Sequence, residues 1–402
     1  MKHFSFKGLC FATALLMASG LVASACSSSN TAAPSSAASS IPPGPIKIGA
    51  LFSLSGPLAV FGANEQQVEN ILVNRLNSQG GIDGHQVQLI VLNDQGNPST
   101  AVSEAAQLVQ DHVAAVMYPG TSSTNLQTSP VFMKAKIPVI TYDPLDTWAN
   151  GKKWPYFFDT YPLNKPTMQA EANFLKAKGM TKVALLQDDT PFAAQLVPDF
   201  TSAAKADGIQ IVGTATYPAT AVDVSTEVAR LQATGAKTLV LIAQVGVATV
   251  YAALNSAGWS PTIMGTAVNY FEGYSSLGQF ATKSYANCQV GLAPGTNLDP
   301  QLGSIVKLVE AKTGSQLGYA STILNVNDGL LILKYAIDKT HSLNGPKIAA
   351  AVETIRNQGF TSPQYPYTFT VSDHAGWPAS GIHVCQLSPV GQYGTPILAS
   401  AR

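Results

Sequence analysis

The sequence predicts an α/β protein made of two doubly wound parallel-sheet lobes. Short apolar, β-forming segments alternate with amphipathic segments of about 10–15 residues, a rhythm that is typical of βαβ units. The rhythm occurs in two runs, and each run is too short to close an eight-stranded barrel. The length of 402 residues also exceeds that of one average domain.

The first run begins with an apolar strand at 46–54, followed by a helix at 61–79. The helix carries apolar residues at helical spacing and ends at a glycine pair. The further elements predicted in this run are strands at 86–92, 113–118 and 137–141 and helices at 101–111 and 125–136.

A stretch rich in Pro, Asn, Trp and Tyr at 143–166 predicts the first crossing between the lobes. The second run is predicted to contain helices at 168–178, 193–207, 226–233 and 247–257 and strands at 182–187, 210–216, 238–243 and 262–265. Beyond a second change of pattern at 286–300, the predicted elements are helices at 302–311, 323–338 and 346–356 and strands at 367–372 and 382–387. These boundaries assign 46–162 plus 292–362 to lobe 1, and 163–291 plus 363–402 to lobe 2.

The composition excludes two classes of protein. The 23 basic and 23 acidic residues cancel, and only 11% of the chain is charged. A chain without a basic surface lacks what phosphate backbones require, so we expect no nucleic-acid partner. Since 46% of the residues are hydrophobic, the chain can also bury real cores and is not disordered. We expect a monomer.

Residues 1–25 have the features of an export signal. Lys2 and Lys7 precede an apolar stretch at 9–22, which is shorter than the roughly 20 residues that span a bilayer. Small residues then precede Cys26, which resembles the acylated cysteine of bacterial lipoproteins, although Ala23 stands where Leu is preferred. Ordinary signal-peptidase cleavage before Cys26 is the open alternative.

The stretch 26–45 favours the lipoprotein interpretation. It is rich in Ser, Ala and Pro, has no periodicity and reads as a flexible tether. A tether suits a protein held at the outer face of the cytoplasmic membrane by its lipid alone. Export also leaves Cys288 and Cys385 as an even pair in an oxidising compartment, which predicts a disulfide, with buried free thiols as the alternative.

Catalytic signatures are missing. The sequence contains no G-x-S-x-G, G-x-x-x-x-G-K-[ST], H-E-x-x-H or G-x-G-x-x-G motif. His374, His383 and Cys385 form a near-cluster, but a strand face explains them better than zinc does. The doublet Asp188-Asp189 reads as a solvated strand-end loop rather than as an acid–base pair. We therefore expect no enzyme activity, no metal and no cofactor.

Two loops after predicted strands have ligand-binding chemistry. They are 53–62, after the first strand, and 118–125, after the third. In open α/β sheets, ligands lie beyond the carboxyl ends of the strands. A glycine followed by four hydroxyl residues at 121–124 and then by a helix can hold a small anion. Simple capping of that helix is the alternative.

Several segments together resemble the branched-chain amino-acid-binding (Leu/Ile/Val-binding) family of ABC-transporter solute receptors. They are SLSGPLAVFG, NSQGGIDGHQVQLIVLND, YPGTSSTN and KIPVITYDP, and the run at 77–84 is the most specific part. The resemblance covers the chain from about residue 46 onwards. It implies the type I periplasmic-binding-protein fold, with three interlobe crossings and a small ligand in the cleft. It also implies an ABC permease as the partner that receives the ligand.

The resemblance also implies the residues of the site. By position, the ligand contacts are expected at Ser55, Phe61, Thr121, Ser122, Thr141, Asp143, Leu145, Phe192, Gln244 and Ala267. Thr121 and Ser122 fall where the family binds a ligand carboxylate. The Glu that meets an ammonium group near Ala267 is missing, although Glu272 follows.

Two ligand classes stay open on this basis. One is a carboxylate or amide without an α-amino group, which the sequence favours. The other is an amino acid whose ammonium group meets Asp143 or Glu272. A ligand-sensing lipoprotein of the same fold and an extracytoplasmic hydrolase are the alternative functions.

Overall fold

A computed structural model describes residues 41–56, 58–118, 120–122, 124–143, 145–268, 278–289, 299–314, 320–378, 381–386 and 396–397. The first of its two sheets contains β1 (Ile46–Phe52), β2 (Val87–Asn93), β3 (Ala115–Tyr118), β4 (Val139–Thr141) and β5 (Phe157–Asp159). All are parallel, in the order β2-β1-β3-β4-β5. The helices between them are α1 (Ala59–Ser78), α2 (Pro98–Gln110) and α3 (Asn125–Ala135).

The second sheet contains β6 (Lys182–Asp188), β7 (Gln210–Tyr217), β8 (Thr238–Ile242), β9 (Thr262–Gly265), β10 (Ser284–Gln289), β11 (Ile382–Gln386) and β12 (Pro396–Ile397). Its order is β7-β6-β8-β9-β10-β11-β12; β6 to β10 are parallel, and β11 and β12 pair antiparallel. The helix α4 (Asn164–Ala177) precedes this sheet, and α5 (Pro191–Ala206), α6 (Ser225–Gln232) and α7 (Val247–Ser256) lie between its strands. The predicted fold class is therefore confirmed.

The five parallel strands of each sheet follow the same spatial order. In both sheets the second strand lies outside the first, and the third to fifth follow on the other side. The side of the sheet to which successive strands are added thus changes between β1 and β3, and again between β6 and β8. Such switch points open a crevice at the carboxyl ends of the strands.

The chain then returns to the first sheet. The helices α8 (Pro300–Thr313), α9 (Ala320–Thr340) and α10 (Gly345–Val352) follow β10. Side chains of these helices share one buried core with β1 and α1. Central strands such as β1 and β8 are buried along nearly their whole length, which is typical of parallel sheets covered on both faces.

The strand β5 was not predicted. It lies inside the stretch 143–166, which we assigned to the first crossing, and it extends the first sheet by pairing with β4. Its three residues are too few to show a period. The segment that leaves the first sheet is therefore shorter than the predicted stretch 143–166. At the start of α4, the Asp146 carboxylate accepts from the backbone N–H groups of Asn164 and Lys165 at 2.8 and 3.0 Å. A carboxylate at this place also complements the dipole of α4.

The boundary that we predicted at 362/363 differs from the packing. The buried rings of Tyr367, Phe369 and Trp377 belong to the core of the first sheet, and Phe369 packs edge-on against Phe158 of β5. The predicted strand at 367–372 forms only isolated bridges, and its aromatic side chains, Tyr367 and Phe369, are buried in that core. The chain reaches the second sheet at β11. The other lobe boundaries stay predictions.

Cys288 on β10 and Cys385 on β11 are paired as a disulfide in this structure. Their Cα atoms lie 5.9 Å apart, within the usual range for a disulfide. The two strands are antiparallel neighbours, so the bond links the parallel part of the sheet to its last strands. Among the described helices, none is both long enough and apolar enough to cross a membrane.

Candidate ligand-binding cleft

A cleft of about 960 Å³, counting its open mouth, lies at the carboxyl ends of the strands of both sheets. The first sheet and its helices contribute Phe61, Glu65, Tyr118, Thr121, Ser122 and Asp143. The second sheet and its helices contribute Phe192, Leu196, Gln244, Ala267 and Asn287. The cleft thus lies where the two switch points predict a binding crevice.

Seven of the ten predicted contact residues line this cleft: Phe61, Thr121, Ser122, Asp143, Phe192, Gln244 and Ala267. Ser55 does not; it is exposed, and its hydroxyl accepts from Asn93 Nδ2 at 3.2 Å. Thr141 is fully buried, and Leu145 packs in the core of the first sheet. Glu272 lies outside the described residues.

The turn after β4 explains why Thr141 and Leu145 are not exposed to the cleft. Thr141 Oγ1 accepts from the backbone N–H of Asp143 at 3.0 Å, so the buried Thr141 side chain holds the turn in shape. The turn brings Tyr142 and Asp143 to the cleft, and Leu145 then packs in the same buried cluster as Trp148.

Asp94 joins three of the strand-end loops of the first sheet. Its carboxylate accepts from Ser53 Oγ at 2.6 Å, from the Gly96 N–H at 2.9 Å and from Thr124 Oγ1 at 2.8 Å. These groups follow β1, β2 and β3 respectively. Gly120 has φ +114°, and a Cβ there would lie 2.2 Å from Thr124 Oγ1. The loop before α3 therefore needs glycine at this position.

Asp188 has the corresponding role in the second sheet. One carboxylate oxygen accepts from the backbone N–H and the hydroxyl of Thr190, at 3.1 and 2.5 Å. The other accepts from the N–H groups of Gln244 and Val245, at 2.6 and 3.0 Å. The prediction of a solvated loop was thus wrong for Asp188, which is 1% exposed. It fits Asp189, which is exposed and accepts from the Ala219 N–H at 2.7 Å.

Glu65 is the main cleft residue that we did not predict. The Tyr118 hydroxyl donates to its carboxyl group, and Oε2 is buried with no hydrogen-bond partner among the described residues. A signal was present, because Phe61, Glu65 and Glu69 follow each other at four-residue spacing on α1. Acidic residues on the inward face of a core helix indicate a site, since buried carboxyl groups are costly.

Burial changes the ionisation of both cleft carboxyl groups. It raises the pKa of Glu65 to about 8, with a further contribution from the charge of Asp143. It also raises the pKa of Asp143 to about 7, although hydrogen bonds from Ser122 partly oppose the rise. Both groups therefore gain and lose their proton near neutral pH, where most carboxyl groups are fully ionised.

Two members of the near-cluster His374, His383 and Cys385 have other partners in this structure. His374 is buried, its Nδ1 bonds the Phe157 carbonyl at 2.7 Å, and its Nε2 lies 3.2 Å from Glu353 Oε1. Cys385 is bonded to Cys288. Within the described ranges, no three His, Cys, Asp or Glu side chains could share a metal ion.

The comparison with known proteins agrees with this geometry. Residues 45–388, most of the chain, match the periplasmic binding protein family. The chain belongs to this family. The resemblance that we derived from the SLSGPLAVFG and NSQGGIDG segments is thus confirmed.

Individual members of the family are distant relatives. The Leu/Ile/Val-binding protein homolog 8 of Brucella abortus is 23% identical over 330 residues, which cover 77% of this chain and 80% of the relative. The branched-chain amino acid transporter substrate binding protein LivJ of Streptococcus pneumoniae, solved with isoleucine, has a TM-score of 0.74 at 21% identity, covering 88% of this chain and 98% of the other. An ABC-transporter solute binding protein of R. palustris, solved with benzoate, has a TM-score of 0.77 at 15% identity, covering 88% and 96%.

Proposed function

We propose that this protein is the extracytoplasmic solute-binding receptor of an ABC importer, and that it carries a small ligand in the cleft to the permease. The observation that supports this most is that both sheets line one cleft with the ends of their strands. Across that cleft, Gln195 Nε2 donates to the Ser122 carbonyl at 3.4 Å. The parts of the chain around the two sheets therefore contact each other beside the cleft, as a clamp that closes on a ligand requires.

The ligand contacts in this proposal are the seven predicted residues that line the cleft, together with Glu65. The names of related proteins support a small organic ligand, since one was solved with isoleucine and another with benzoate. We do not propose ligand contacts for Ser55, Thr141 or Leu145. Thr141 acts through the turn that carries Asp143.

A thermal-melting screen tests this function. The library should contain amino acids, amines, carboxylates and neutral compounds. A ligand at about 100 times its Kd should add about 2.7 kcal/mol of stability. Cells that lack the gene should then fail to take up the labelled ligand. Unchanged uptake would contradict the importer role, and chemical conversion of the ligand by the protein would indicate an enzyme instead.

The proposal includes attachment to the membrane through a lipid on Cys26. The signal-like segment 1–25 and the tether 26–45 support it. We expect Cys26→Ala to move the mature protein from the membrane fraction to the soluble fraction, because the tether carries no other apolar anchor. Fractionation at high salt measures this. A variant that stays with the membrane would contradict the lipoprotein assignment.

A further inference from the structure

The cleft lining carries acidic but no basic side chains. Among the described residues that line it, the carboxyl groups belong to Glu65 and Asp143, and none is Lys, Arg or His. The other ionisable groups are the phenols of Tyr118, Tyr142 and Tyr161, and burial raises the pKa of each. A ligand anion would therefore lie near two carboxyl groups, and no described lining residue would offer it a positive charge.

The hydrogen-bond donors of Ser122, just before α3, already bind a carboxyl group of the protein. Ser122 Oγ donates to Asp143 Oδ1 at 3.3 Å, and the Ser122 backbone N–H donates to the same group. The backbone N–H of Asp143 donates to Thr141 Oγ1, which holds the turn that carries this carboxyl group. Asp143 therefore occupies the place near the helix start that a ligand carboxylate would need.

Glu65 presents an unpaired oxygen to the same space. Its Oε2 is buried and has no partner among the described residues, whereas the Tyr118 hydroxyl donates to the carboxyl group. A buried carboxylate without enough partners is unstable, and either a proton or a cation can neutralise it. The Glu65 carboxyl group thus favours the uptake of positive charge.

Aromatic rings surround the two carboxyl groups. The rings of Tyr118 and Tyr142 stack with their centroids 5.0 Å apart, and Phe61, Tyr161 and Phe192 line the cleft as well. Faces of aromatic rings attract cations, most strongly where water is excluded. The walls and the carboxyl groups therefore select the same charge.

We propose that the cleft binds an organic cation, an amine or a guanidinium compound, whose positive group lies between Glu65 and Asp143 and which needs no carboxylate. The inference rests on the proposed function, because it names the ligand class of the same cleft. It replaces our preference from the sequence for a carboxylate or amide ligand. The reason is that the Asp143 carboxyl group is bound to Ser122, where the sequence analysis expected a ligand carboxylate.

The binding of such a cation depends on pH. Glu65 faces Glu69 on its own helix, Tyr118 at the end of β3, Asp143 and Tyr142 after β4, and Asp94 after β2. None of these groups is basic, so protons neutralise the two carboxyl groups before a cation binds, and the cation displaces these protons. Apparent affinity should therefore rise with pH up to about 8, the raised pKa of Glu65, by about tenfold per pH unit for each proton displaced.

Titration calorimetry with matched pairs of compounds tests the proposal. In two pairs, isopentylamine with leucine and agmatine with arginine, the second compound carries an added carboxylate. In the third, benzylamine with benzoate, a carboxylate replaces the aminomethyl group. We expect at least one amine to bind at least about tenfold more tightly than its carboxylate-bearing partner. Its binding should weaken from about pH 8 to about pH 6, and buffers of different ionisation enthalpy should report the released protons.

Variants distinguish the contribution of the two cleft carboxyl groups to amine binding from the effect of removing any buried carboxyl group. Glu65→Gln and Asp143→Asn should each weaken amine binding by about 100-fold. Asp328→Asn is the matched control, because this buried carboxyl group has its pKa raised by burial to about 7 but does not line the cleft. It should bind the amine as the unmodified protein does, and melting curves check that every variant is folded.

Three results would overturn the inference. They are tighter binding of the carboxylate-bearing partners, amine binding that persists when both acids are replaced, and no binding of any amine in the set. Any of these leaves the receptor function standing if the broad screen finds a ligand of another class. Failure of the function itself would appear as no stabilising ligand at all in that screen.

Discussion

Replacing Cys288 and Cys385 together by Ser should lower the free energy of unfolding by about 4–5 kcal/mol. The two residues are 97 positions apart, so the bond closes a long loop and restricts the unfolded chain strongly. Denaturant unfolding measures the loss as a lower midpoint. We choose the double variant because a single one would leave a free thiol that can pair with other molecules.

The reduced natural protein is the matched control for this experiment. It should unfold at the same midpoint as the double Ser variant, whereas the oxidised protein should be more stable than both. Thiol titration of the denatured, unreduced mature protein gives an independent result. Two reactive thiols from Cys288 and Cys385, or equal stability of all three samples, would contradict the disulfide.

Asp188→Ala should lower the free energy of unfolding by about 3–5 kcal/mol. The change removes the acceptor for the N–H groups of Thr190, Gln244 and Val245 and leaves these donors buried. The start of α5 should also loosen, because Thr190 Oγ1 accepts from the Ala193 N–H at 3.4 Å. Chemical unfolding followed by circular dichroism measures the loss.

The neighbouring acid supplies the control for Asp188. Asp189 is exposed and accepts one N–H group, from Ala219. Asp189→Ala should therefore cost no more than about 1 kcal/mol. Similar losses in the two variants would show that Asp188 does not hold the loops together as its four hydrogen bonds indicate.

Regular repetition in the sequence predicted most of the fold. Residues such as Val68, Leu72 and Leu76 mark α1 because every buried turn of a helix contributes to the pattern. The strand β5 has three residues and gives no pattern of its own, so only its pairing with β4 identifies it. The burial of Tyr365, Tyr367, Phe369 and Trp377 in the first core depends on distant partners, which local sequence does not reveal.

The candidate site was predictable in part, for a different reason. Loops at the ends of strands lie at one edge of a sheet, so the order of the elements indicated the loop that carries Thr121 and Ser122. Gln244, after a strand of the other sheet, was expected only from the resemblance to the family. Glu65 lies inside a helix whose pattern we used only to find its buried face. The direction of Leu145 depends on the tight turn after β4, which the sequence does not specify.

The carboxylates of Asp94 and Asp188 have a consequence for how much entropy binding costs. Each ties the strand-end loops of its own sheet to one another through buried hydrogen bonds. Loops that are already ordered lose little conformational freedom when a ligand arrives, and more of the contact energy then appears as affinity. A small ligand with few contacts can therefore bind tightly, because the entropy lost on binding is mainly that of the ligand and not that of the loops.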